Sequence, residues 1–195
     1  MRVLSGLAAV AALVCLGAAP TAPPAAICSL TPAGRIANRT LDFEHFDQRA
    51  TLPSNARSLD EAGCHAEAAE ATEDYLANGP VGTPGERAIL AFHLAQYLAM
   101  AGDERAAARA VALARRSDLP PDYHIDWNSY VAGTRAFLLR DRAGLDAARS
   151  ALRARGTAGD AMNLDRLDRM AVCFDQSYAV AWDDPKCAPP AAEGR

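Results

Sequence analysis

Lysine is almost missing from this chain: Lys186 is the only one among 20 basic residues, and arginine supplies the rest. Beside so much alanine, that imbalance is the codon signature of a GC-rich bacterial genome. An arginine-rich face is therefore weak evidence of selection for bidentate anion contacts. A positive excess is missing too. The 20 basic residues meet 24 acidic ones, for a formal charge of -4 and a pI near 5.5, which argues against a dedicated nucleic-acid binder, whose phosphate contacts need clustered positive charge. No C-x-x-C pair is present, which disfavours a structural zinc site. The lack of a G-x-S-x-G elbow and of a glycine-rich phosphate loop removes two widespread hydrolase and nucleotide-binding signatures. What is present is globular material. The 195 residues are 50% hydrophobic and 23% charged, enough apolar side chain for one domain and too little net charge for disorder.

Met1 and Arg2 give a positive start, Val3 to Ala19 form an apolar run interrupted only by Ser5, Gly6 and Gly17, and Pro20, Pro23 and Pro24 follow. Residues 1–26 thus read as a secretory signal peptide. The alternative is an uncleaved anchor, since the run approaches the roughly 18 to 20 residues that span a bilayer. Cys15 follows the bulky Val14 and fits lipid attachment less well. Export leaves Cys28, Cys64, Cys173 and Cys187, an even set in an oxidising compartment, for which disulfides are the expected state. Three connectivities are open, and sequence proximity favours Cys173 with Cys187 and Cys28 with Cys64. The expected location is periplasmic or secreted, without stable membrane insertion unless the first segment is retained.

After an N-terminal arm with a short helix (27–57), residues 58–175 carry the punctuation of helix after helix, without strand signals. Ser58 with Glu61 predicts a capping box, and Asn78-Gly79-Pro80 a stop. Thr83, Pro84 and Glu86 repeat the start signal, and Gly102 closes that helix. Asp103 should cap an alanine-rich helix running to about Arg116, before Pro120-Pro121 breaks the chain. Asp126 opens the next, in which Trp127, Tyr130, Val131, Thr134, Phe137 and Leu138 form one apolar stripe at helical spacing. Arg140-Asp141-Arg142 turns into a further helix ending near Gly156. Leu164, Leu167, Val172 and Phe174 predict a last one, and residues 176–195 a disulfide-tethered tail. Connections of two or three residues force neighbouring helices antiparallel. The predicted fold class is all-α: antiparallel hairpins stacked as a short solenoid or an irregular bundle.

In each central hairpin the first helix carries the large side chains and the second the alanines. This pattern resembles the tetratricopeptide repeat, and between Ala91 and Pro120 it does so position by position. Leu94-Ala95, Leu98, Gly102, Ala107, Val111, Ala114 and Leu119-Pro120 stand where that family has its leucine, small residue, aromatic, turn glycine, small contact residue, bulky residue, second alanine and closing proline. The stretch from Ala62 resembles that from Ala101 at a spacing of 39, and Ala107-Ala108-Arg109 recurs as Ala147-Ala148-Arg149 at 40. The family repeats at about 34, and no obvious partner helix precedes Ser58. The blocks FHLAQYLAMAG, DWNSYVAGTRAFLLRD and CFDQSY also look like those of exported bacterial proteins without an assigned activity. The repeat resemblance implies an interaction or scaffold module that receives a protein or peptide on a concave face.

His45, His65, His93 and His124 include no pair at metal-ligand spacing. His93 and Gln96 lie one turn apart with Tyr97 and Met100 nearby, either lining a polar pocket or simply bonding within the core. His65 beside Cys64 and Glu67 is a poor nucleophile pair, because adjacent helical positions diverge by about 100 degrees. Glu73-Asp74, Asp103-Glu104, Asp165 with Asp168, and Asp183-Asp184 read as caps and solvated faces. Arg105, Arg109 and Arg116 on one helix, and Arg142, Arg149 and Arg153 on the next hairpin, would form two aligned basic rows for a carboxylate or an acidic peptide, centred on Arg109 and Arg149. Trp127, Asn128 and Tyr130 could make an aromatic lip at a groove or anchor a helix start. No residue stands out as catalytic or metal-binding and no cofactor is called for. The expected role is therefore binding of a protein or peptide. The rival is a small extracytoplasmic hydrolase using His93, Gln96 or an acidic pair.

Overall fold

The computed structural model describes residues 28–120 and 122–190. The expected signal segment, residues 1–26, lies outside them. Every regular element among the described residues is helical: α1 (Pro32–Asn38), a π-turn (Glu44–Gln48), α2 (Ala56–Glu61), α3 (His65–Asn78), α4 (Pro84–Met100), α5 (Glu104–Ala112), α6 (Trp127–Leu138), α7 (Arg142–Arg155), α8 (Ala158–Val172), α9 (Tyr178–Asp183) and a 3-10 turn (Pro185–Cys187). From α2 to α9 each helix packs on the next, α1 lies on α3, α6 also meets α8, and α9 returns to α4. The protein is all-helical. None of these helices is long and apolar enough to cross a membrane.

Local chemistry sets most boundaries. Thr83 and Glu86 form the expected reciprocal box, with Glu86 Oε2 accepting the Thr83 amide at 2.7 Å and Thr83 Oγ1 accepting the Glu86 amide at 3.2 Å. Asp103, Asp126 and Asp141 each accept an amide in the first turn of α5, α6 and α7. Three turns share one geometry. Amides of Cys64, Asp103 and Asp141 donate back five residues to Leu59, Leu98 and Ala136, each at 2.8 Å. The residue before each donor, Gly63, Gly102 or Arg140, has a positive φ. These turns recur after 39 and then 38 residues, so α2–α3, α4–α5 and α6–α7 are three successive hairpins. The partner helix of the first hairpin is α2, which contains Ser58 rather than preceding it.

That arrangement revises the expected boundaries. Ser58 does not start a helix: Asn55 caps α2 by accepting the Ser58 amide at 3.0 Å, and the left-handed turn at Gly63 separates α2 from α3, bringing Cys64 to Cys28. Helix α5 stops at Ala112, short of Arg116, because tertiary partners take its last backbone groups. The Trp127 indole donates to the Ala114 carbonyl at 2.7 Å. The Asn128 side-chain amide bonds both the N–H (2.9 Å) and the C=O (2.7 Å) of Arg116. The tail expected after 176 carries α9, capped by Ser177.

Packing follows the asymmetry of the hairpins. Phe92 of α4 meets Trp127 and Tyr130 at ring-centroid distances of 5.2 and 4.9 Å, while α5 buries Ala107, Ala108, Ala110 and Val111. Gly133 of α6 lets α7 and α8 approach: a Cβ there would lie 2.9 Å from Ala148 Cβ and 3.0 Å from Leu167 Cδ2. Of the last stripe, Leu167 is buried but Val172 is half exposed. Both favoured disulfides form, Cys28–Cys64 and Cys173–Cys187. They pin the arm to the start of α3 and the 3-10 turn to the end of α8, and they are compatible with an oxidising compartment.

Candidate functional site

Two features collect the residues that could recognise something. The first is a groove between α5 and α6, formed by two adjoining depressions of about 400 and 560 Å³ that share Ala112, Arg135 and Leu139. Arg105, Arg109 and Arg115 stand on its α5 side and Arg135 on its α6 side. Leu139 is half exposed on the floor. Among the described residues no carboxylate lies within ion-pair distance of these four arginines. Arg140 at the end of the groove is already held, by Glu104 at 2.7 Å and by the carbonyls of Phe174 and Gln176.

The two basic rows therefore do not align. Arg109 is in the groove but Arg149 is not. Its guanidinium lies between α7 and α8, 2.6 Å from Asp168 and 2.7 Å from Asp146. Burial would lower its pKa, but those hydrogen bonds outweigh it and the net shift is upward. Arg153 reaches Asp168, Arg142 reaches Asp146 and lies over the Phe174 ring, and Arg116 pairs with Asp118. Helical spacing placed each row on one face of its helix, but the neighbouring acids that neutralise the second row come from α8 and from the α7 surface. Of the three residues expected at an aromatic lip, Asn128 lines the groove while clamping Arg116, but Trp127 is anchored through its indole N–H and Tyr130 is 6% exposed in the core.

The second feature is a polar pocket of about 330 Å³ between α2, α4 and α9. His93, Gln96, Tyr97 and Met100 share one face of α4, as their spacing predicts, and all four line it. The arm supplies what the sequence reading missed. Asp47, fully buried in the π-turn, places both carboxylate oxygens 2.8–2.9 Å from His93 Nδ1. Gln48 donates to the same carboxylate, and Arg57 Nε donates to the Asp47 carbonyl at 3.0 Å. In the neutral ring, with Nδ1–H donating to this carboxylate, Nε2 is the accepting nitrogen. Gln96 Nε2 donates to Tyr178 Oη at 3.4 Å. Tyr97 is 3% exposed and its hydroxyl has no partner among the described residues. Burial first, then the Asp47 charge, raises its pKa well above the ordinary value, so it stays protonated. No sequence signal marks Asp47, because its partner is 46 residues away and no periodicity links a π-turn to a helix.

The remaining histidines are placed less suggestively. His45 bonds the exposed Asp42, His124 packs on Tyr123, and His65 Nδ1 sits 3.3 Å from Asp60 Oδ1 without hydrogen-bond geometry. Cys28, Cys64 and Glu67 are close enough to suggest a metal cluster, but both sulfurs are in the disulfide and offer no thiolate. Several members of the carboxylate pairs serve structure: Asp74 binds Arg39, Glu104 accepts the Tyr178 amide at 2.6 Å, and Asp103 and Asp184 cap turns. Compared with family models, with curated proteins and with solved structures, the chain matches none.

Proposed function

We propose that the protein is an exported, periplasmic or secreted, interaction module of the tetratricopeptide-like kind, which docks an acidic, leucine-bearing segment of a partner protein in the α5–α6 groove. One observation carries this reading: four arginines without acidic partners among the described residues border one groove around exposed Leu139, whereas the arginines on α7 are neutralised in place. If arginine were there only for solubility, unpaired guanidinium groups would be scattered. Grouped around an apolar floor, they offer bidentate partners for carboxylates and contact area for a nonpolar side chain. The face of α4, α6 and α8 does not serve, because α9 lies against all or part of it and its Tyr178 is fully buried next to Phe137. A hydrolase with a serine, threonine or cysteine nucleophile has less support, since among the described residues none of these lines the His93 pocket.

The test is fluorescence anisotropy with a labelled peptide of alternating glutamate and leucine. The expected result is salt-sensitive binding that the double change Arg109→Glu/Arg135→Glu weakens more than tenfold, as for loss of charge-assisted contacts. Arg87→Glu, exposed and away from the groove, serves as the control. Equal binding by the lysine-leucine counterpart, or indifference to the double reversal, refutes the proposal.

A further inference from the structure

The pocket between α2, α4 and α9 is not used by the docking groove and differs from it chemically. Its wall holds three polar atoms without a hydrogen-bond partner among the described residues, His93 Nε2, the Tyr97 hydroxyl and His65 Nδ1. An unpaired buried hydroxyl costs about 1–3 kcal/mol if nothing ever meets it. Tyr97 lines the pocket with its ring centroid 6.3 Å from that of His93, and its hydroxyl is buried there. Asp60, Glu61 and Asp183 stand around the opening. The one guanidinium present, Arg57, is already taken by Asp60 at 3.2 Å and by the Asp47 carbonyl. Met100, Tyr178 and Trp182 complete the wall with apolar surface. The vacant groups are thus mostly acceptors, and the local charge is negative. An anion would face the unpaired carboxylates of Glu61 and Asp183, and a neutral apolar molecule would leave the unpartnered polar atoms unmet.

We propose that this pocket binds a small organic ammonium ligand, a primary amine on a short apolar body. Its N–H groups donate to His93 Nε2 and Tyr97 Oη, while Glu61 and Asp183 balance its charge. The buried Asp47 acts as a positioning residue: it fixes the His93 ring so that its accepting nitrogen faces the ligand. A volume of about 330 Å³ is at the small end for ligand sites, which suits a ligand of this size.

Isothermal titration and proton–nitrogen NMR with 2-phenylethylamine test the idea, with phenylacetate and 2-phenylethanol as anionic and neutral counterparts of the same shape. The expected result is saturable amine binding that shifts the His93 ring resonances, at least tenfold tighter than phenylacetate. Tyr97→Phe should weaken the amine about tenfold, the loss expected for a hydrogen bond to a charged group, while the fold stays as stable or becomes more so, because an unmet hydroxyl is removed. Asp183→Asn, at an exposed site, should narrow the preference for amine over alcohol. Neither change should alter binding of the acidic peptide, so this site and the groove succeed or fail separately. Absence of saturable amine binding at millimolar concentration, equal binding of phenylacetate, or a Tyr97→Phe variant that gains stability but keeps amine affinity would overturn the assignment.

Discussion

Replacing Gly133 with alanine sets two effects of opposite sign against each other. In an exposed helix interior the change should stabilise by about 1 kcal/mol, the propensity difference between the two residues. At Gly133 the added methyl would stand 2.9 Å from Ala148 Cβ and 3.0 Å from Leu167 Cδ2, and closer still to Leu167 Cδ1. Leu167 is fully buried and Ala148 nearly so. The alanine has no rotamer to change, so relief requires α7 to move away from α6. Overpacking of this kind costs about 1–3 kcal/mol, and here it should exceed the propensity gain, leaving a net loss of up to about 2 kcal/mol. Urea unfolding followed by far-UV circular dichroism measures the difference. Leu167→Val provides the internal check: shortening that side chain opens room, so the double variant should be more stable than the sum of the single losses, with a coupling of about 0.5 kcal/mol or more. A Gly133→Ala protein more stable than the parent, or strict additivity with Leu167→Val, would refute close approach of α6, α7 and α8 at this glycine.

Two further outcomes rest on other parts of the chain. The Cys28–Cys64 bridge spans 36 residues and Cys173–Cys187 spans 14, so loop-closure entropy assigns them about 4 and about 3 kcal/mol. Thermal unfolding of the Cys28→Ala/Cys64→Ala pair should accordingly fall further than that of Cys173→Ala/Cys187→Ala, and the reverse order would contradict this account. The Tyr75 hydroxyl, which donates to the Leu41 carbonyl at 2.8 Å, has its pKa pushed up to about 12, mainly by burial and then by Asp42, Glu86 and Asp47. Stability from this group is complete below about pH 10, the ordinary tyrosine value, and falls from there to about pH 12 as the unfolded chain ionises first. Tyr75→Phe should flatten that decline in urea midpoints only in part, because burial also raises Tyr97, Tyr130 and Tyr178. An absorbance titration in which Tyr75 ionises near pH 10 would remove the effect.

By itself the sequence determined whatever depends on neighbours along the chain. The caps at Thr83, Asp103, Asp126 and Asp141, the stop at Gly102 and the stripe from Tyr130 to Leu138 are local signals, because hydrogen bonds to orphan amides and the 3.6-residue period act over a few positions. The shared face of His93, Gln96, Tyr97 and Met100 was legible for the same reason. The disulfide pairing was legible only because the nearest partners also happen to meet in space. Tertiary structure decided the rest. Asn128 and Trp127 unwind the end of α5 by taking its carbonyls and an amide, a competition that no propensity within α5 records. The second arginine row is neutralised by Asp168, a residue of another helix, which leaves Arg109 beside Arg135 and removes Arg149 from the groove. Asp47 reaches His93 across 46 positions, and contacts made at that range depend on how hairpins stack, which the spacing of residues within any one helix does not specify.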